Sequence, residues 1–306
     1  MKRLFILLVF LLSFLGAQAR ETHLFAHRDT CDLYLDIYRP AEGSETTFRG
    51  LDKPTILHVF GGGFLVGTRN DPYILRWVNL LNQEGYTVVT MDYRLGMKNY
   101  KVEKGLAGLS KASNRFFLSQ QIGVEDVFSA ISYLEENQLV DTGNLVLAGN
   151  SAGAIVSLAS AYAVANGQTK GLPEGFQFKG VMSFSGGIIS TSGAPRLKRA
   201  ACPILLFHGE RDKAVAYDHL GALGRGLWGS SYLAKKLRQK GSPYTFYSIQ
   251  NRGHDVAAYH TVLWEYEKAF LESLMLGTPQ MADVVLDNPD FPNRGDIRVR
   301  DIYNRD

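Results

Sequence analysis

About eight short apolar runs, most of them followed by a turn and a segment of helical spacing, restrict this chain's fold more than any other feature. They fall at 23–27, 31–39, 55–60, 86–92, 145–148, 180–184, 203–207 and 244–249. The second alternates through Leu33, Leu35 and Ile37 before Pro40 stops it. Helical spacing occupies 72–84, with Asp71 as N-cap, Pro72 in the first position and Gly85 as the stop. It returns at 124–136, where Val127, Ile131 and Leu134 share a face, at 152–165, and at about 231–240 and 256–275. Strands alternating with helices predict an α/β fold: a mostly parallel central sheet of about eight strands with helices on both faces. Residues 41–53 and the polar stretch after 92 read as loops, and the polar tail 278–306 as irregular and peripheral. No composition break or internal repeat marks a second domain between 20 and 277.

The chain has 306 residues, 45% hydrophobic and 21% charged, which suits a globular domain and excludes a disordered or fibrous one. Net charge is +3, and Lys2 and Arg3 supply two of the charges, leaving 3 − 2 = +1 on the rest. There is no positive excess to hold a nucleic acid. Those two residues, the apolar run 4–15 and Ala17-Gln18-Ala19 form a secretory signal peptide, with cleavage expected before Arg20. The run is shorter than the ~20 residues of a membrane span, so an exported protein without a stable membrane anchor is expected. Cys31 and Cys202 fall on opposite sides of the expected sheet and should be unpaired, buried thiols.

Open α/β sheets place their sites beyond the carboxyl ends of the strands. Between the run ending at Ala148 and the helix beginning at Ala152 stands Gly149-Asn150-Ser151-Ala152-Gly153, a G-x-S-x-G in the setting a nucleophile elbow needs. A serine hydroxyl attacks only when a base takes its proton, and that base needs an orienting carboxylate. Asp212 follows the run 203–207 at the correct end, with Asp218 and Glu210 as rivals. Of the histidines beyond it, His219 and His260 fall on expected helices, whereas His254 lies directly between a strand and the last helix. Asp255 reads as the cap of that helix.

After the run 55–60 come Gly61-Gly62-Gly63-Phe64. The backbone N–H groups of Gly62 and Gly63, with that of Ala152, could converge as an oxyanion hole. A dinucleotide fingerprint fails because Val66 stands where its third glycine would fall, and a Walker loop fails because Thr68 stands where it needs lysine. HExxH and CxxC are absent, so no metal and no cofactor is expected.

These motifs, with Asp92-Tyr93-Arg94 and His208-Gly209-x-x-Asp212, stand in an order that resembles the esterase/lipase branch of the α/β-hydrolase fold, its hormone-sensitive-lipase-like and carboxylesterase-like members. The resemblance spans roughly residues 31–275. It implies Ser151 as nucleophile, His254 as base, Asp212 as acid, and Gly62 and Gly63 as oxyanion donors. Phe60 departs from it, standing where histidine is usual. The implied activity is hydrolysis of carboxylic esters with short acyl groups, on a small molecule or an exported glycan. A serine peptidase of the same fold and a catalytically silent binding protein are the alternatives. The segments 98–121, 187–198 and 221–228 should shape the pocket, with Phe64, Leu65, Ile188 and Trp228 as candidate substrate contacts.

Overall fold

The structure, a computed structural model, describes residues 20–287; the expected signal peptide lies outside them. The chain begins with β1 (Arg20–Arg28) and β2 (Cys31–Tyr38), then the short pair β3 (Thr47–Phe48) and β4 (Leu51–Asp52). Next come β5 (Thr55–Val59), α1 (Pro72–Gln83), β6 (Val88–Met91), α2 (Gly105–Glu136), β7 (Leu145–Asn150) and α3 (Ala152–Ala165). The second half holds β8 (Gly180–Phe184), β9 (Gly187–Ser190), β10 (Ile204–Gly209), β11 (His219–Ala222), β12 (Arg225–Gly229) and α4 (Ser230–Lys240). It ends with β13 (Tyr244–Ile249), α5 (Trp264–Met275) and β14 (Met281–Leu286).

Nine strands form the main sheet in the order β1-β2-β6-β5-β7-β8-β10-β13-β14. Only the β1–β2 and β2–β6 pairings are antiparallel. Strands β5, β7, β8 and β10 are buried along nearly their whole length because helices cover both faces. On one face, Val127 and Ile131 of α2, Val156 of α3 and Leu233 of α4 join the core. On the other, Trp77 and Leu81 of α1 pack with Phe270 and Leu271 of α5.

Four expectations need correction. The tail is not irregular where described: Met281–Leu286 adds a ninth strand, parallel to β13. Its side chains alternate between exposed and half-buried, and an edge strand with no buried face carries little hydrophobic signal. The polar stretch after residue 92 is largely helix, since α2 starts at Gly105 rather than 124. Gly105, Gly108, Ser110 and Ser113 are weak helix formers there, and packing overrides propensity. One such contact joins α2 to β9: Gln120 donates to Ile189 O (3.0 Å) and accepts from Ile189 N (2.8 Å). The last helix begins at Trp264, after a 3₁₀ turn over His254–Ala258. Finally, both thiols are free, but Cys31 is exposed; Cys202 is partly buried, which pushes its thiol up to about 12.

Candidate active site

Strand β7 turns into α3 through Ser151, whose backbone has φ 54° and ψ −119°. A non-glycine residue in this region carries about 1–3 kcal/mol of strain, held here by packing on both sides. A Cβ on Gly153 would lie 2.0 Å from Val59 O, and one on Gly149 would lie 2.5 Å from the Gly153 carbonyl carbon. Both glycines of the pentapeptide are therefore required by close approach. Ser151 N donates to Phe184 O at 2.8 Å, which ties the turn to β8. The first N–H groups of α3 have no partner four residues back, so they face the space above Ser151 with the positive end of the helix dipole.

The two loops that follow β10 and β13 meet over the sheet edge. A Cβ on Gly209 would fall 2.4 Å from the carbonyl oxygens of both Arg252 and Gly253, so only glycine admits the β13 loop this closely. Arg211 N donates to Arg252 O at 2.8 Å and straps the loops together. As a result, Asp212 and His254 stand side by side. His254 Nδ1 lies 2.7 Å from Asp212 Oδ2, and its Nε2 lies 2.8 Å from Ser151 Oγ. The residues are 103 apart between Ser151 and His254, so the fold alone joins them.

Asp212 is held from every side. Its Oδ1 accepts from Ala214 N (2.8 Å) and Val215 N (2.9 Å), while His208 Nε2 stands 3.2 Å from Oδ2. Burial alone would raise this carboxyl, but the two histidines outweigh it and hold Asp212 well below its ordinary range. The rivals are elsewhere. Asp218 pairs with Lys235 (3.0 Å) and Glu210 accepts from Ser248 Oγ (3.0 Å). His219 opens β11, not a helix, and stacks on Trp228 at 4.8 Å. His260 lies in the turn before α5, buried against Phe184 (4.1 Å). Asp255 does not cap α5; it accepts from Gly253 N (2.9 Å) and Tyr259 Oη (2.7 Å) within the His254 loop.

A cavity of about 320 Å³ opens at Ser151, with Gly63, Ala152 and Phe64 in its wall. Apart from Ser113, the rest of the wall is apolar, with Phe116 and Leu109 of α2, Ile155 of α3, Ile189, Val215 and Leu227 in it. Of the four candidate substrate contacts, only Phe64 borders it. Leu65 turns aside, its N–H bonded to Gly62 O (3.0 Å), and Ile188 and Trp228 are replaced by their neighbours. In the β9–β12 ladder Ile189 pairs with Leu227 and Ile188 with Trp228, so a shift of one residue exchanges the faces. Gly62 stands outside the cavity wall, with φ 116°, and a Cβ on it would fall 2.0 Å from Val66 O. Phe60, in the position of the usual histidine, is buried against Tyr93 (4.6 Å), whose hydroxyl donates to Phe60 O at 3.0 Å. Asp92 and Arg94 are structural: the first accepts from Arg69 and the second bonds Asp126. Among the described residues, no cluster of three or more acidic, histidine or cysteine side chains could hold a metal.

The model of the carboxylesterase family matches residues 17–195. The chain belongs to that family. The match takes in the glycine triplet and Ser151; Asp212 and His254 lie beyond it. Among solved structures, this carboxylesterase resembles esterase 2 of the planctomycete Thermogutta terrifontis with propionate bound, at 19% identity and a TM-score of 0.58, covering 85% of this chain and 95% of that one. The native form of that enzyme matches at 20% identity and TM-score 0.57 over 85% and 93%, and its tabun-phosphoramylated form at 18% and 0.56 over 85% and 96%. These likenesses support an α/β-hydrolase fold and carry no residue assignments. No curated protein matches the chain.

The segment 98–121, expected to shape the pocket, does so through Leu109 and Phe116, but as part of α2 rather than as a loop. One site residue escapes the sequence reading. His208 is visible in the His-Gly-x-x-Asp motif, but nothing in the motif tells that its ring turns back to the aspartate.

Proposed function

We propose that this ester hydrolase works through an acyl-enzyme on Ser151, with His254 as general base and then acid and Asp212 orienting it. The observation that carries the reading is the pair of bonds on opposite nitrogens of one imidazole, 2.8 Å to the hydroxyl and 2.7 Å to the carboxylate. Ser151 Oγ attacks the ester carbonyl carbon while its proton moves to His254 Nε2. The carbonyl oxygen becomes an oxyanion, to which the N–H groups of Ala152 and Gly63, both in the cavity wall, are the assigned donors, whereas Gly62 lies outside that wall; each such donor is worth about 3–4 kcal/mol in a known case. His254 returns the proton to the departing alcohol, and water then repeats the sequence on the acyl-serine.

The acyl group proposed is short. At about 320 Å³ the cavity stands near the lower limit of the ~300–1,000 Å³ typical of small-molecule sites. Its wall holds no charged residue to pair with a charged side chain, which favours esters over peptides. The propionate complex of the Thermogutta esterase agrees with a short acid. Export after cleavage before Arg20 places the substrate outside the cytoplasm, as a small ester or an acylated glycan. The test uses p-nitrophenyl acetate, butyrate and octanoate with the purified chain and Ser151→Ala. Wild-type turnover should fall with acyl length, and Ser151→Ala should lose at least about 10⁴-fold in kcat. Equal turnover by the two proteins would refute the mechanism.

A further inference from the structure

We infer that His208 is a positioning residue for this reaction: a second imidazole that clamps the Asp212 carboxylate while His254 uses it. The inference deepens the serine mechanism above and rests on it. His208 sits at the carboxyl end of β10, fully buried, and each ring nitrogen has a partner. Nε2 faces two oxygens, Asp212 Oδ2 at 3.2 Å and Val215 O at 3.1 Å. An ionised carboxylate and a carbonyl only accept, so a bare lone pair on Nε2 would be set against both. Nε2 therefore carries a proton.

The other nitrogen lies 2.9 Å from Ser230 Oγ, which is also 3.1 Å from Gly186 O. Ser230 has one proton to give. If Gly186 O takes it, Nδ1 donates to the serine and the ring is charged; if Nδ1 takes it, the ring is neutral. In both states the Nε2–H is shared between Val215 O, at 3.1 Å, and Asp212 Oδ2, at 3.2 Å. Ala214 N and Val215 N bond Oδ1 and His254 bonds Oδ2, and the shared N–H of His208 faces Oδ2 as a fourth contact. The lone pairs of the carboxylate are used, and it cannot turn away from His254 without losing bonds on both oxygens.

The chain of contacts runs from Gly186 through Ser230, His208, Asp212 and His254 to Ser151, so the N-terminus of α4 braces the nucleophile. Other groups near the two rings are engaged elsewhere. Tyr217 meets His208 edge-on at 5.6 Å and donates to Ser248, which bonds Glu210. Asp255, beside His254, is taken by Gly253 N and Tyr259, with Arg252 3.9 Å from it.

A donor on Oδ2 also draws off part of the charge with which Asp212 holds the proton of His254. Without His208 that pull strengthens, and the base stays occupied to higher pH. The experiment compares wild type, His208→Ala and His208→Gln in the full chain, with pH profiles of kcat and kcat/KM on p-nitrophenyl acetate. His208→Ala should lower kcat roughly 10- to 100-fold with KM changed less than about twofold, and the acid limb of kcat/KM should move to higher pH. His208→Gln, whose amide N–H can reach Asp212, should recover most of kcat and return the limb. An unmoved limb in the alanine variant, or a glutamine variant as impaired as alanine, overturns the inference. Should His208→Ala give no cooperative melt, Ser230→Ala decides: it releases the ring and must move the limb the same way by less. A wild-type limb there also overturns it. Labelling of wild type by a fluorophosphonate, read as an adduct on Ser151 by mass spectrometry, keeps the two readings apart. No adduct refutes the serine mechanism on which this rests, whereas an adduct with an unmoved limb refutes the role of His208 alone.

Discussion

Two buried clusters each combine two histidines with one carboxylate, and they end in opposite electrical states. At the carboxyl edge of the sheet, Asp212 stands between His254 and His208. On the face covered by α1 and α5, His58 lies 5.9 Å from His260, and Trp77 lies between them and Glu267. Burial acts on both carboxyls in the same direction, upward. Asp212 nevertheless falls well below its ordinary range, because imidazoles bond and face it. Glu267 receives a single bond from Trp77 Nε1 (2.7 Å), has its second oxygen unpartnered, and is raised well above the usual carboxyl value. Neither ring nitrogen of His58 or His260 has a well-formed bond, and burial drives His58 down to about 3, with only the Asn150 amide opposing. Hydrogen bonds favour the charged carboxylate in the first cluster, and burial favours the neutral forms in the second. Donor geometry separates them, not residue type.

The largest break in this comparison comes from removing the charge at Asp212. Asp212→Asn keeps the shape but gives His254 an uncharged partner, and kcat should fall about 10³–10⁴-fold with the fold intact by circular dichroism. A loss under tenfold would mean that the buried carboxylate contributes no more to the reaction than Glu267 does.

Glu267→Gln tests the opposite cluster. The folded value of Glu267 is raised, so the stability it contributes is complete below its ordinary value of 4.5 and is lost as pH rises toward the folded value. The unfolded chain ionises first and gains that advantage. Glutamine cannot ionise and keeps an acceptor for Trp77. The variant should therefore gain on wild type by about 1.4 kcal/mol for each pH unit above about 4.5, until the folded value is reached. Urea unfolding at pH 4.5, 5.5 and 6.5 reads this directly; a difference independent of pH would show Glu267 ionised or solvated.

The contrast also explains what the sequence could tell. Ser151, Asp212 and His254 were legible because each closes a strand at the carboxyl edge, where chain order and turn chemistry identify the loop. His208 was not. It stands inside strand β10, and only the backward turn of Asp212 toward Ala214 N and Val215 N makes them neighbours. The strands of the parallel core were legible because they are apolar throughout, whereas β14 is half exposed and α2 is built on serine and glycine. Ile188 and Trp228 were misread for a smaller reason: an antiparallel ladder has two faces, and sequence does not say which one meets the cavity.

The smallest effect expected is at His58, and it carries the opposite pH sign from Glu267. A histidine lowered by burial contributes stability that is present above its ordinary value of 6.5 and is lost as pH falls toward about 3. The unfolded chain takes up the proton first. Leucine is close in volume and has nothing to protonate, so His58→Leu should differ from wild type at pH 7 only by its packing, within about 1.5 kcal/mol. Between pH 7 and pH 5 the variant should gain about 2 kcal/mol on wild type, which is 1.5 units below 6.5 at about 1.4 kcal/mol each. His260 remains buried and lowered, so the variant keeps the slope of one such histidine. Denaturant midpoints at the two pH values give the difference with wild type alongside. If the gap between the proteins is the same at both, the His58 ring is already paired or wetted, and its cluster is closer in kind to the one around Asp212 than burial alone implies.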